Sequence, residues 1–400
     1  MPGSLAIIGG GPAGMMAAIR AAETLGDGRR VVLFDKNDRL GRKIYLTGKG
    51  RCNLTNLRRW EDFAPHIHPN QGFLKHAFRA FSNEALIRFF EEDLGLPTVT
   101  LQGQRVYPAS LVAGDVARAL ERRVRELGVD IRRGTTVAQL SDLADYGAVI
   151  IATGGKSYPV TGSTGDGYRF AQETGHTVTP LFPSETALLP DPYDPGLSGM
   201  EMKNVGLQLI VDHTPVLNEQ GDFNFTEDGL ESGIAYHLSR RAVWALINGQ
   251  RVEIVLDLKP ALSEQQLQAR ISRESARLDT IRHAQLDRAS LRSFLPDALI
   301  APFLRANPDL TAALLSERLK HWKFSIIDYK GYDRAVVTAG GVSLKEISPK
   351  TMASRLRPGL YFCGEVLDLD GDTGGYNLQI AFSTGAMAGR AAAEYLQKNP

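Results

Sequence analysis

LAIIGGGPAGMMAAI, Leu5 to Ile19, is the stretch whose reading decides the fold. Four apolar residues, Leu5 to Ile8, read as a buried strand. Met15 to Ala22 are helix formers without Gly or Pro. Between them, Gly9, Gly11 and Gly14 take the fixed places of G-x-G-x-x-G, the dinucleotide fingerprint. Gly9 permits the tight turn, Gly11 lets a pyrophosphate approach the backbone, and Gly14 lets the helix pack close on the strand. The helix N-terminus adds free N–H groups and a partial positive charge for the phosphates. A second apolar strand, Val31 to Phe34, ends in Asp35, about twenty residues beyond the last glycine. A carboxylate there accepts hydrogen bonds from ribose hydroxyls and repels a 2′-phosphate.

Composition narrows the classes. At 400 residues the chain is too long for one simple core, so two or three domains are expected. A hydrophobic fraction of 43% and a charged fraction of 23% suit a soluble globular protein. The formal net charge of +1 offers no argument for nucleic acid or an anionic membrane surface. Two cysteines, Cys52 and Cys363, make no disulfide framework, which suits a reducing cytoplasm. They also lack C-x-x-C spacing, so small buried residues are expected rather than a redox pair. The first apolar run meets glycine after four residues, so it reads as a strand and not a signal peptide. No stretch has the apolar length of a membrane span. His66 and His68 lack partners at metal-ligand spacing. Asp368, Asp370 and Asp372 lack the closing Glu of a calcium loop and read as a polar surface turn.

Beyond Asp35, Arg42, Lys43, Lys49 and Arg51 stand among Gly41, Gly48 and Gly50, a pattern for a loop that wraps an anionic group. Asn70 to Glu92 carry a helical apolar stripe of core aromatics. Gly114 to Leu127 read as a helix stopped by Gly128. Val129 to Arg132 and Thr135 to Leu140 read as strands. Tyr146 to Gly155, YGAVIIATGG, is a buried strand ending in small residues, where ligands sit in open parallel sheets. Composition shifts at Pro183 to Pro195. Asn204 to His213 and Gly249 to Leu258 alternate like antiparallel strands. Ser263 and Gln266 form a capping-box pattern ahead of a helical section. Its arginines Arg270, Arg273, Arg277, Arg282 and Arg288 read as a solvated face. Asp333 to Val342 and Gly359 to Gly364 are again strands running into glycine, and a helix over Ala381 to Leu396 closes the chain.

These blocks resemble the BaiN/YhiN-like family of NAD(P)/FAD-dependent oxidoreductases, flavoproteins with two dinucleotide-binding folds. The likeness rests on GGGPAG at Gly9 to Gly14, GRK at Gly41 to Lys43, TGKGRCNLTN at Thr47 to Asn56, ATGG at Ala152 to Gly155 and GSTGDGY at Gly162 to Tyr168. It continues in VTAGGV at Val337 to Val342, PKTMASR at Pro349 to Arg355 and FCGEVLDLDGDTGGYNLQIAFSTG at Phe362 to Gly385. The resemblance implies an α/β fold. A Rossmann-like FAD-binding domain is assembled from both chain ends, residues 1–190 and 333–400. A β-rich, barrel-like insertion takes 191–260 and 320–332, and a small helical insertion takes 261–319.

The resemblance further implies non-covalent FAD held by Gly9, Gly11, Pro12, Ala13, Gly14, Asp35 and Lys36. The basic loop contributes Arg42, Lys43, Thr47, Gly48, Gly50, Arg51, Cys52 and Asn53, and the backbone of Val137 approaches the adenine. Thr153, Gly154, Gly155, Gly364, Glu365 and Asp368 follow, with Glu365 where wider flavoproteins place Asp. Gly374, Gly375, Tyr376, Asn377, Leu378 and Gln379 complete the set. The closing helix is expected to aim its N-terminus at the flavin N1/O2 edge. Tyr376, Asn377 and Gln379 are then placed to hydrogen-bond the ring, although Tyr376 reads equally well as packing. A bulky residue at Gly375 is expected to push the ring away, and Val337 to Val342 to form a small-residue wall beside it.

The implied activity is flavin redox chemistry on a small organic molecule. No second complete G-x-G-x-x-G is present, so NAD(P)H is expected as a transient reductant. An FAD oxidase using oxygen and a non-catalytic flavin redox sensor are the alternative readings. No nucleic-acid or membrane partner and no metal is expected. The catalytic residues, the substrate and the oligomeric state are not legible.

Overall fold

The computed structural model describes residues 3–227, 229–277 and 286–399. The chain divides into two compact units, Met1–Phe182 with Val336–Pro400, and Pro183–Ala335. The first is built on a five-stranded sheet ordered Leu360–Phe362, Ala148–Ile151, β1 (Leu5–Ile8), β2 (Val31–Phe34) and Asp130–Arg132. All four pairings are parallel. β1 and β2 are buried along their whole length, which is why they read as unbroken apolar runs. α1 (Pro12–Leu25) leaves the glycine turn with Pro12 in its first turn.

The last strand and the last helix come from the far end of the sequence. The closing helix, Tyr376–Lys398, is buried over most of its length and packs on α1. Its glycines allow the contact. A Cβ on Gly385 would stand 2.3 Å from the carbonyl oxygen of Ala13, and one on Gly389 2.2 Å from that of Ala17. Four-residue spacing puts both glycines on one face, against two alanines spaced alike.

The second unit holds a closed six-stranded antiparallel barrel, ordered Leu188–Pro190, Gly229–Glu231, Thr214–Thr226, Glu201–Val211, Val252–Asp257 and Trp322–Tyr329. The helix Gly233–Ile247 packs against the barrel strands, and Glu264–Arg277, Arg288–Leu291, Asp297–Ala306 and Leu315–Lys320 supply further helices. Ser263 and Gln266 form the expected reciprocal cap: the Ser263 N–H donates to Gln266 Oε1 and the Gln266 N–H to Ser263 Oγ. Arg282 lies outside the described residues, as does the Arg277 side chain.

Several expectations are corrected. Thr135 to Leu140 is no strand; Gly134 and Thr135 donate to Asn37 and Asp35 carbonyls, and a short turn capped by Gln139 follows. Asn70 to Glu92 is broken, because Ser82 caps a second helix through its hydroxyl. The closing helix begins at Tyr376, not Ala381. Strand Thr214–Thr226 and helix Gly233–Ile247 carried no recognised signal. Val337–Ala339 lies outside the five-stranded sheet.

Gly389→Ala is expected to force the two helices apart and destabilise the protein by about 1–3 kcal/mol or more, the cost of overpacking. Arg390→Ala, next to it on the exposed face, is expected to stay within about 0.5 kcal/mol. Denaturant unfolding checks both, and matching midpoints would contradict the close contact.

Candidate functional site

The first turn separates its glycines by role. A Cβ on Gly9 (φ +106°) would lie 2.5 Å from the Ala152 carbonyl oxygen, and one on Gly14 1.8 Å from that of Gly9. Both are demanded by packing. Gly11 differs, since nothing stands within 4 Å of its Cβ position. It is the N-cap of α1, whose first turn has no acidic residue and no side-chain cap. Pro12, Ala13 and Gly14 follow it, so an open space faces an uncapped helix N-terminus.

Asp35 fixes this turn from the end of β2. Its carboxylate accepts from the Gly10 N–H at 2.7 Å, the Asn37 N–H at 2.8 Å and Asn37 Nδ2 at 2.9 Å. A carboxylate has about four lone-pair positions, so one remains for an outside donor. The Thr135 N–H donates to the Asp35 carbonyl at 3.0 Å, which brings the segment of Val137 alongside.

The expected phosphate-neutralising cations are largely committed elsewhere. Lys36 Nζ lies 2.6 Å from both Thr164 Oγ1 and Asp166 Oδ2. Arg42 is exposed and donates to Asn37 Oδ1. Lys43 grips both Glu365 oxygens at 2.9 and 3.1 Å, and the Thr338 N–H donates to Glu365 Oε1 at 2.9 Å. Lys49 and Arg51 are exposed, and among the described residues they form no ion pair.

Around them the small-residue ends cluster. Thr47 Oγ1 donates to the Ile44 carbonyl and the Cys52 N–H to that of Thr47, which closes the loop containing Gly48 and Gly50. Asn53 Oδ1 and Thr153 Oγ1 are buried without a hydrogen-bond partner among the described residues. Buried polar atoms of this kind are rare in finished structures. A Cβ on Gly154 would meet Ser163 Oγ at 3.0 Å, and one on Gly155 would meet Thr338 Oγ1 at 2.5 Å. The Gly364 N–H donates to Thr384 Oγ1, and the Asp368 N–H to the Val342 carbonyl.

The closing helix corrects the sequence reading most. A Cβ on Gly375 (φ +101°) would lie 2.4 Å from the Thr55 carbonyl carbon, so this glycine serves backbone packing rather than ring clearance. Gly374 lies beside the Tyr376 ring. Tyr376 is a packing residue: it is 2% exposed, stacks on His66 at 4.4 Å and meets Phe63 edge-on. Burial pushes its hydroxyl up to about 12. Asn377 clamps Gly371, accepting from its N–H at 2.8 Å and donating to its carbonyl at 2.6 Å. Gln379 is fully buried; it accepts from Thr55 Oγ1 and donates to the Phe81 carbonyl and Ser383 Oγ. The Gln379 amide, buried with both N–H groups used, is not available to a ring, and Asn377 spends one donor and one acceptor on Gly371. The helix instead offers its uncapped first-turn backbone, with Leu378 partly buried there. Gly340 and Gly341 likewise face the backbone of Pro180 and Leu367.

The Asp turn is also corrected, since Asp370 is 1% exposed. Asp372 accepts from His66 Nδ1 at 2.8 Å and His68 Nε2 at 2.9 Å, a grouping that no sequence spacing announced. Thr338 was missed too; its hydroxyl accepts from the Lys156 and Ser157 N–H groups. Among the described residues no cluster of three or more His, Cys, Asp or Glu converges as a metal site, and no helix is long and apolar enough to cross a membrane.

With this geometry in place, comparison with known proteins is informative. The family described as HI0933-like protein Rossmann domain matches residues 3–391. A 3-dehydro-bile acid delta(4,6)-reductase of Clostridium scindens is 31% identical over 412 residues, spanning 98% of this chain and 99% of its own. A ribosomal RNA dihydrouridine synthase of Haemophilus influenzae is 30% identical, spanning 94% and 95%. A solved quinol–fumarate reductase with menaquinol molecules shares the fold, at TM-score 0.50 and 15% identity over 99% of this chain and 72% of that one.

Both thiols are free and buried. Burial pushes Cys52 up to about 12 and Cys363 higher still, so thiolate is scarce at neutral pH. A disulfide reagent at about pH 8 is expected to label neither cysteine in the native protein and both after unfolding. Rapid native labelling of either would contradict the burial.

Proposed function

The chain belongs to the family of the HI0933-like protein Rossmann domain, and from that membership we propose an FAD-dependent oxidoreductase that saturates a carbon–carbon double bond conjugated to a carbonyl. The observation that carries the cofactor reading is the cradle at Gly11, open where its neighbouring glycines are filled and set on an uncapped helix end. An adenine dinucleotide suits it: the pyrophosphate faces Gly11 and the first N–H groups of α1. The free lone pair of Asp35 is ready for a ribose hydroxyl. The orphaned Asn53 Oδ1 and Thr153 Oγ1 are acceptors that a bound ligand can satisfy. When bound, FAD supplies hydride chemistry, and the uncapped end of the closing helix stabilises negative charge brought to it.

The bond class rests on the two relatives. A 3-oxo group with Δ4,6 double bonds and a uracil ring share one feature, an alkene conjugated to a carbonyl. We assign a free small molecule here rather than RNA, with NAD(P)H as the transient reductant. RNA binding draws on a net excess of Lys and Arg, whereas the chain has net charge +1 and, of the cations by the cradle, Lys36 and Lys43 are held by Asp166 and Glu365, which leaves Lys49 and Arg51.

The purified protein is expected to be yellow and to release intact FAD on acid precipitation. Gly11→Val is expected to unfold like the apoprotein yet fail to take up FAD, because its side chain fills the open space. Reduced parent holoprotein, mixed without oxygen with a small cyclic enone, is expected to recover the oxidised flavin spectrum. A Gly11→Val protein that binds FAD like the parent would overturn the cofactor placement. Reoxidation by uridine-containing RNA but by no enone would move the substrate to RNA.

A further inference from the structure

His66 and His68 share one carboxylate, yet their surroundings differ. The two histidines flank Ile67 on a short strand, Ile67–His68, paired antiparallel with Asp370–Gly371. Both rings turn to Asp372, through Nδ1 of His66 and Nε2 of His68. On its other side His66 Nε2 meets Arg58 Nη1. A guanidinium has only donors, so His66 Nε2 must accept. His66 therefore carries its single proton on Nδ1 and gives that proton's hydrogen bond to Asp372. It has no place for a second proton while Arg58 stays.

His68 is not blocked in this way. Its Nε2–H is tied to Asp372, and among the described residues Nδ1 has no partner. The side chain keeps 25% of its surface exposed, enough to exchange protons with water. A carboxylate that orients an imidazole while the far nitrogen stays open is the arrangement of a general acid or base with its orienting partner. The cluster also touches the end of the closing helix. Asp372 stands three residues before its N-cap Gly375, and its first residue, Tyr376, stacks on His66. His68 faces Asp372 through Nε2 and is paired with Asp370 across the strands, while Asp372, Arg58 and Tyr376 stand against His66 and Asp62 acts on Tyr376.

We propose that His68 is the proton donor of this site, oriented by Asp372, while Arg58 keeps His66 out of the reaction. The assignment rests on the reading of the site as a flavin-dependent alkene reductase. With reduced FAD bound, the cofactor would supply the hydride for the β-carbon and be left oxidised, while His68 would give its Nδ1 proton to the α-carbon as the π bond breaks; the imidazole would be left neutral and water would return the proton.

Two measurements test it. The first needs no substrate: nitrogen-15 histidine spectra of the full-length holoprotein, assigned with His66→Asn and His68→Gln. At one neutral pH the His66 signals are expected to be those of a ring protonated at Nδ1 with Nε2 accepting, and those of His68 to show a proton on Nε2. A His66 ring protonated at Nε2, or a His68 ring without a proton on Nε2, would overturn the proposal. The second is reoxidation of the reduced holoprotein by the enone. Gln retains an amide donor for Asp372 but cannot pass on a proton. His68→Gln is expected to keep its FAD and to slow reoxidation roughly 10²–10⁴-fold. A His68→Gln protein with the parent's rate would refute the role. If the parent itself is not reoxidised by any enone, the reductase reading fails, and the histidine spectra alone then decide whether Arg58 and Asp372 set the two tautomers.

Discussion

The molecule depends on one close approach, the backbone-to-backbone contact of α1 with the closing helix. Gly385 and Gly389 have no room for a side chain because the carbonyls of Ala13 and Ala17 occupy it. This contact joins elements some 360 residues apart in the chain, and its loop-closure entropy is offset only by dense packing. It also brings Gly364 against Ala13, so the last strand ends beside the first glycine turn. Two helix N-termini, one from each end of the sequence, are thereby fixed in the same unit.

From that constraint follows a division of labour. Polar side chains at the two turns are spent inside the protein: Asp35 on Gly10 and Asn37, Asn377 on Gly371, Gln379 on Thr55, Phe81 and Ser383. They rigidify the turns, and the groups left open are mostly backbone. Such a site presents pre-oriented N–H groups to an anion without the rotamer entropy of long cationic side chains. The Lys43–Glu365 pair, supported by the Thr338 N–H, acts in the same sense by tying the basic loop to the C-terminal block.

The parts of this arrangement legible in the sequence are those where sterics leave one residue type. Gly9 and Gly14 had to be glycine for backbone contacts, and the buried strands had to be apolar on both faces. The parts that were not legible depend on distant partners. Nothing near Gln379 in sequence says that it is buried against Phe81 and Thr55, so its polarity pointed to a ligand. Gly375 looked like ring clearance because its neighbour Thr55 is far away in the chain. Strand Thr214–Thr226 was hidden because its tight turn uses Asp212 and His213 at positive φ, where glycine is the usual marker. Asp372 became a bridge between two histidines only through strand pairing.

A crystal structure of the protein reconstituted with FAD tests the central claim most directly, that a dinucleotide is held by backbone at two helix ends. The account predicts the pyrophosphate against Gly11 and the first N–H groups of α1, the ring end at the first turn of the closing helix, and Gln379 still bonded to Thr55, Phe81 and Ser383. A dinucleotide seated away from Gly11, or a Gln379 amide turned out to bind the ring, would contradict it.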